Sequence, residues 1–322
     1  MKFTTRMLSL AGCLAVTATL AVAEDWPSEP IHIIVPYAAG GGTDTTIRML
    51  VPKVSGILGE TVVVENKPGG ATIIATQAVQ QAEPNGYTVG AAAAPFTLNT
   101  ALGKETPYNP LTDFEHIIKL VDMPICVIVN PAHPAQNFDE FVEWAKAESD
   151  PVLYASPGVG SMPHLWAEAL AANLGFKVEH VGYKGSAPAL VDVLAGNILV
   201  LFDGYSPSCR QAKDNELRIL VNGWHERTPQ LPDTPTAIEL GYDVPRGSAN
   251  FGIYAPKGTP QDIQQKLNDA FQAALDDPEV QGRLAENGLL PAGGSGADYN
   301  AFLTETINRF TKVVNDAGIT VN

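Results

Sequence analysis

Cysteine is scarce in this 322-residue chain, which has only Cys13, Cys126 and Cys209. No CxxC pair and no zinc-type ligand spacing is present, so neither a metal-stapled nor a disulfide-built scaffold is expected. Cys126 and Cys209 carry no spacing signal for a disulfide. Basic residues are also few: 20 Lys and Arg stand against 35 Asp and Glu, for a formal net charge of −15. That balance argues against nucleic acid or an anionic membrane surface as a partner. Long apolar runs are confined to the first two dozen residues, and nothing later approaches the roughly 18 residues of a membrane span. The chain has no GxxxxGK[ST], no HExxH and no GxSxG, which removes a P-loop, a zincin helix and a nucleophile elbow from consideration.

The opening apolar run reads as a secretory leader. Lys2 and Arg6 make a basic start, Met7 to Leu20 is apolar and small, and Ala21-Val22-Ala23 fits an A-x-A cleavage site,. Residues 1–23 are therefore set aside as a signal peptide, cleaved after Ala23. The competing lipobox, Leu10-Ala11-Gly12-Cys13, leaves an apolar core of about half a dozen residues where roughly 7–15 are usual, and the apolar run continues past Cys13. Residues 24–322 have the length of two α/β domains. Losing Lys2 and Arg6 makes them more acidic still, so an anionic ligand must be held by local dipoles.

One stretch organises the rest, Pro30 to Gly59. Ile31-His32-Ile33-Ile34-Val35 is short and β-branched, so it reads as a buried strand that Pro36 stops. Gly40, Gly41 and Gly42 let backbone N–H groups approach a ligand with no side chain in the way. Thr43 and Asp44 follow as cap candidates, and Ile47, Leu50, Val51 and Val54 recur at helical spacing. A helix N-terminus fed by a glycine loop suits an anion. Val152 to Leu174 repeats this plan: a strand, the loop Ser156-Pro157-Gly158-Val159-Gly160-Ser161, then a helix with Pro163 near its start and Ser161 near its cap.

Between and beyond these, strands are expected at Thr61–Asn66, Tyr87–Ala92, Ile125–Val129, Val178–Val181, Ile198–Asp203, Leu217–Val221 and Phe251–Pro256. Helices are expected at Ala71–Ala82, Phe138–Ala147, Pro260–Asp276, Pro278–Gly288 and Ala297–Ala317, and Tyr183 to Pro188 leads into another that ends at Gly196. Strand–helix alternation implies mostly parallel sheets flanked by helices, with ligands beyond the strand C-termini. Domain 1 is assigned to 24–124 and 249–322, and domain 2 to 125–248. The crossings near 121–125 and 246–252 would form a hinge.

Several side chains carry two readings. Ser156 and Ser161 either cap the following helix or bond a ligand, and the two roles are compatible. His164 either shapes its loop or touches the ligand. Asp44 is an N-cap or a ligand contact. Asp203, at a strand tip, contacts ligand or water, or bonds between domains. Tyr37 and Phe96 either pack on an apolar part of the ligand or belong to the core. Lys184 reads as a solvated turn lysine, with a carboxylate pair as the alternative. Gly158-Val159-Gly160 with Glu179 imitates a dinucleotide fingerprint, but Pro163 stands at the third glycine. A metal at His164 and Glu168 lacks further ligands. Ser156 or Ser161 with His164 is the only hydrolase arrangement, and no orienting acid is evident.

Taken together, PIHIIVPYAAGGGTD, VVVENKPGG, NGYTV, YNPLTDF, YASPGVGSMPHL, HVGYKGSAPALVDVLAG, LFDG, LPDTPTAIELG, GIYAPKGTP and NDAGI resemble, in order along the chain, the substrate-binding proteins of tripartite tricarboxylate transporters, the Bug family. The resemblance implies a two-domain periplasmic binding protein type II fold with the ligand cleft between the domains. It implies a periplasmic receptor, not an enzyme, that hands a small organic carboxylate to a membrane permease. The carboxylate is mono-, di- or tricarboxylic and possibly aromatic. Neither cofactor nor metal is implied, and the chain is expected to be a monomer. Alternatives are a secreted serine hydrolase or a sensor receptor presenting a carboxylate to a signalling partner. Carried over by position, the ligand-binding residues are Tyr37, Gly41, Gly42, Thr43 and Asp44 of one loop and Ser156, Gly160, Ser161 and His164 of the other. Ala94, Pro95, Phe96 and Asp203 complete the lining. Two departures stand out: Ala38 and Ala39 replace the family's two prolines, and Ala91 to Phe96 is apolar where many relatives carry hydroxyls. The latter weakens the case for a highly charged ligand such as citrate.

Overall fold

A computed structural model describes residues 26–205, 212 and 217–319. The signal-peptide expectation and Cys209 fall outside the described residues, whereas Cys126 is buried in a central strand. The first unit runs β1 (Ile31–Val35), α1 (Gly42–Leu58), β2 (Val62–Asn66), a 3-10 turn (Gly70–Thr72), α2 (Ile73–Gln80), β3 (Thr88–Ala92) and α3 (Ala94–Ala101). β1 is β-branched and almost wholly buried, and it pairs in parallel with β2 and β3 on either side. Gly59, at φ 76°, closes α1 by turning its N–H back to the Ser55 carbonyl.

β4 (Phe114–Val129) is the longest strand of the chain's described part. It is followed by α4 (Phe138–Ala147), β5 (Val152–Ser156), α5 (Met162–Leu174), β6 (Val178–Gly182), α6 (Ser186–Leu194), β7 (Val200–Gly204) and β8 (Arg218–Asn222). β5 pairs in parallel with β6 and β7, repeating the pattern around β1. The chain returns through β9 (Ser248–Pro256), then α7 (Gln261–Leu275), α8 (Pro278–Glu286), β10 (Leu290–Gly293) and α9 (Gly296–Ala317). Each sheet is parallel on the wing built from strand–helix alternation and antiparallel where β4, β9 and β10 join.

β4 and β9 are what hold the two halves in one molecule. Residues 114–124 of β4 pair with β9, whereas 125–129 pair with β7 and β8. The switch falls at Pro124, opposite Ser248, within the expected crossings. Beside it, Ile125 N–H bonds the Gly247 carbonyl and Gly223 N–H bonds the Ile125 carbonyl, both at 2.8 Å. The aliphatic core around β1, α1 and α7 belongs to the first half. A second core gathers α4, α5 and β5. α9 joins the second core and a separate aromatic cluster: Tyr299 and Leu303 belong with Phe96, Phe114 and Tyr254, while Phe310 and Val314 belong to the core that holds Trp166 and Phe138.

Candidate functional site: a cleft built from helix ends

The loops after β1 and β5 fold alike, for reasons legible residue by residue. In the first, Gly40 sits at φ 83°, Gly41 is the N-cap, and the Asp44 carboxylate reaches back to the Gly40 N–H at 2.8 Å. In the second, Gly160 sits at φ 75°, Ser161 is the N-cap, and His164 Nδ1 accepts the Gly160 N–H at 3.0 Å. A left-handed residue turns each chain into its helix, and glycine supplies it without a Cβ penalty. A side chain from the third helical position then pins that glycine's amide, much as in a capping box. With the turn pinned from behind, the first-turn N–H groups, which no helical carbonyl can reach, are left for a ligand.

Asp44 is 2% exposed. Burial pushes its pKa up, but bonds from Arg48, the Gly40 amide and Asn66 outweigh it and hold the carboxyl below its ordinary value. It is therefore an ionised bracket. His164 is 4% exposed; burial, with a smaller contribution from His180, lowers its pKa to about 3. Because Nδ1 accepts an N–H, the ring is neutral and carries its proton on Nε2. That nitrogen lies 3.9 Å from the Glu168 carboxylate. The His180 ring stacks on His164 at 3.9 Å between centroids, and His180 Nε2 lies 2.6 Å from Ser156 Oγ.

Both loops open onto one cleft of about 750 Å³, the size of a small-molecule site. From the first half it is lined by Tyr37, Gly41, Gly42, Thr43, Ala94 and Pro95, and from the second by Gly160, Ser161 and Asp203. Asp203 stands on β7, with its Oδ1 2.7 Å from the Gly204 N–H that it accepts. Four other expected site residues stand behind the wall. Asp44 and His164 are the brackets just described. Phe96 is 1% exposed and stacked on Tyr254 at 4.5 Å, so it is core. Ser156 is 0% exposed, bonded to His180 and to the Gly158 N–H. A serine sealed in this way cannot reach a scissile bond, and Ser161 Oγ is engaged by the His164 backbone N–H. The serine–histidine hydrolase arrangement therefore does not form.

Four helices, not the two expected, present their N-termini to the cleft. Gly42 and Thr43 begin α1, Ala94 and Pro95 begin α3, Met162 and Pro163 begin α5, and Ser186 begins α6. Among them only α5 has a side-chain cap bond, from Ser161. Each contributes a partial positive charge. Free donors are most numerous at α1, because Pro95, Pro163 and Pro188 in the first turns of α3, α5 and α6 carry no N–H and the Phe96 and His164 amides are bonded to the Ala93 carbonyl and Ser161 Oγ,. This is how a chain with a net charge of −15 builds a place for an anion.

Residues 46–319 match the model of the tripartite tricarboxylate transporter family receptor. The chain belongs to that family. Its fold is that of solved periplasmic binding proteins. The structure of periplasmic binding protein BugD is 33% identical, with a TM-score of 0.77 over 92% of this chain and 99% of that one. Rpa4515 of R. palustris, solved with adipate, is 29% identical with a TM-score of 0.81 over 92% and 99%. MatC of Rhodopseudomonas palustris, with bound malate, is 28% identical with a TM-score of 0.76 over 90% and 100%.

The receptor's cleft also contains residues that local sequence does not single out. Lys104, Asn99, Met123, Ser186 and Phe251 line it, as does Lys184, whose reading as a solvated turn residue left its place in the wall unspecified. Lys104 and Lys184 come from loops, Asn99 from α3, Met123 from β4, Ser186 from the start of α6 and Phe251 from β9, and tertiary pairing alone brings them together. Ala71 also lines the cleft, at φ 49°, next to Thr72 at φ 76°. These are the only non-glycine residues with positive φ among the described ones. The Ala71 carbonyl is fixed by Asn99 Nδ2 at 2.9 Å, so the strained turn is held against α3. Ala71→Gly removes the Cβ clash and should raise stability by about 0.5–1 kcal/mol after the entropic cost of glycine. Thermal unfolding of the ligand-free protein reads this as a rise of about 1–2 °C, and a fall would refute the strain argument.

Proposed function

We propose that this protein is the periplasmic solute receptor of a tripartite transporter, capturing a small organic carboxylate and delivering it to the membrane permease. The observation that carries the reading is the convergence of four helix N-termini on one cleft in an acidic protein. Adipate and malate bound in two relatives of the same fold support the ligand class. The halves meeting at the cleft are residues 24–124 with 249–322, and 125–248. The leader is cleaved after Ala23, and the receptor acts as a monomer.

In this reading one carboxylate of the ligand accepts N–H groups from the starts of α1 and α5. Tyr37, Thr43, Ser161 and Asp203 orient the ligand directly or through water. The apolar wall of Ala93, Ala94 and Pro95 meets its carbon body. Binding brings the two halves together, and the permease recognises the closed form. A thermal-shift panel on residues 24–322 tests this, using succinate, adipate, malate, citrate, glutamate, benzoate and terephthalate. A ligand at about 100 times its Kd adds roughly 2.7 kcal/mol, a rise of several degrees. Stabilisation by one subset of acids is the expected result. No shift from any acid, with protein unfolded and refolded to strip bound ligand, would overturn the assignment.

A further inference from the structure

The loop after β1 has no core beneath it. Tyr37, Ala38, Ala39 and Gly40 are all exposed, whereas Pro36 before them and Thr43 and Asp44 after them are buried. Its shape is therefore a matter of hydrogen bonds. The Gly41 N–H bonds the Ala38 carbonyl at 3.2 Å with Gly40 at φ 83°, the pattern of a type II turn centred on Ala39 and Gly40. Such a turn closes on itself and does not fix its own orientation. Among the described residues only two side chains reach its backbone from outside, Asp44 at the Gly40 N–H and Asn66 at the Tyr37 carbonyl.

Asn66 joins those two anchors. It ends β2, opposite Val35 of β1, so its backbone belongs to the sheet. Its Nδ2 donates to the Tyr37 carbonyl and to Asp44 Oδ1, both at 2.9 Å, and its Oδ1 accepts Arg48 Nη2 at 3.1 Å. Arg48 Nε in turn donates to both Asp44 oxygens, at 2.9 and 3.0 Å. A carbonyl and a carboxylate only accept, so the Asn66 amide fits one way round. All of its polar atoms are engaged in a ring of loop, helix and sheet, and it does not line the cleft. The loop after β5 is tied differently, through its backbone: Tyr183 N–H bonds the Ser156 carbonyl at 3.0 Å, and Gly185 N–H bonds the Pro157 carbonyl at 2.8 Å.

We propose that Asn66 is a positioning residue for ligand capture: by tying the Tyr37 carbonyl to Asp44 it presets the loop whose amides begin α1. The inference rests on the carboxylate reading above and extends it to a residue that the ligand does not touch. With Asn66 in place, the Gly42, Thr43 and Asp44 amides, which no helical carbonyl can reach, keep one orientation. Without it the turn pivots, and apparent affinity falls with the fraction of molecules whose loop is in place. The same logic names a substitute. Ala39 holds the turn position that favours proline, and its N–H has no acceptor among the described residues, so Ala39→Pro stiffens the turn without losing a bond.

Isothermal titration with malate, adipate and benzoate tests this in wild type, Asn66→Ala, Ala39→Pro and the double variant. Asn66→Ala should weaken every acid that wild type binds about tenfold, the effect of losing the two bonds that preset the loop. Ala39→Pro should regain about threefold in the Asn66→Ala background and gain less in wild type, a coupling that a merely structural role does not produce. Asn66→Asp keeps the side chain's shape but has no N–H donor, and it should show the same loss. Hydrogen exchange of the Gly40 and Gly41 amides in ligand-free protein gives a readout that needs no ligand. Asn66→Ala should speed it about tenfold, and adding Ala39→Pro should slow it again. Unchanged affinity or unchanged exchange in the Asn66 variants, or a proline effect equal in both backgrounds, overturns the proposal. Wild-type protein that binds none of the three acids overturns the carboxylate reading alone, and exchange then decides the role of Asn66.

Discussion

Trp166→Ala should cost about 3–5 kcal/mol, the range for truncating a large buried aromatic. The indole is 0% exposed, and its Nε1 donates to the Pro245 carbonyl at 2.8 Å. Its ring lies on the two glycines of the crossing. A Cβ added at Gly223 would come 2.7 Å from the ring, and one at Gly247 would come 2.3 Å from it. Those glycines carry the hydrogen bonds that tie Ile125 to Gly247 and Gly223. Removing the indole empties the joint between the halves and leaves the half-buried Pro245 carbonyl without its donor,. Urea unfolding should show the loss as a lower midpoint, and thermal unfolding as a drop of about 10 °C. Gly247→Ala is the converse test: with no room for a methyl, it should destabilise by about 1–3 kcal/mol through overpacking. A change below about 1 kcal/mol in Trp166→Ala would mean that the joint does not depend on this packing.

Acidification should destabilise the receptor by about 5 kcal/mol between pH 7 and pH 5, because three of its six histidines are buried and His180 half-buried in the neutral form,. Burial lowers the pKa of His116, His133 and His180 to about 4 and that of His164 to about 3, with Arg218 adding to the effect at His133. Hydrogen-bond geometry agrees independently. Nδ1 of His116, His133 and His164 each has an N–H donor, from Asn300, Ala135 and Gly160. An imidazolium cannot accept such a bond. The sign follows from proton uptake: below about pH 6.5 the unfolded chain protonates its histidines while the folded one does not. Stability is therefore full above that pH and declines until the folded pKa values near 4 and 3 are reached. Buried Asp122 and half-buried Glu168 have pKa values raised by desolvation, which opposes part of the loss. Thermal unfolding across pH 7 to 5 should fall by about 10 °C; a flat profile would rule out neutral burial of this set. At His164, whose pKa is the lowest of the four, protonation comes last as pH falls and only then releases the Gly160 amide.

The repeated strand–glycine loop–helix plan was legible because its signals are local: a β-branched run, glycines at the turn, and apolar residues at helical spacing. The expected receptor fold is borne out by the family match and by the solved neighbours. Helix α3 was missed, since Ala91 to Ala94 has neither amphipathic period nor polar cap; the start signal available was Pro95 in the first turn. The first half of β4 was missed for a different reason. Two bulges break its alternation, and the ion pair of Lys119 with buried Asp122 at 2.6 Å imitates a surface segment. In the site, the sequence points to the loops that line the cleft, but front and back of the wall are not separable from it. Asp44 and His164 point backward because each brackets a glycine amide, and that depends on the φ of Gly40 and Gly160, which sequence spacing does not specify. Phe96 turns inward because Tyr254 and Phe114, far along the chain, offer it a stacking surface. Lys184 was read as a turn residue because its neighbours in the cleft wall come from other loops.

Helix α9 gives this receptor a remote tuning point. It is anchored at its start among Phe96 and Tyr254 and toward its end beside Trp166. A rod clamped at both ends couples the two halves elastically, so any change in the angle between them must appear as slip at Phe310 and Val314 or as bending of the helix. Under the proposed closure, Phe310→Ala should change apparent affinity through the fraction of molecules competent to bind, although Phe310 is 0% exposed and does not line the cleft.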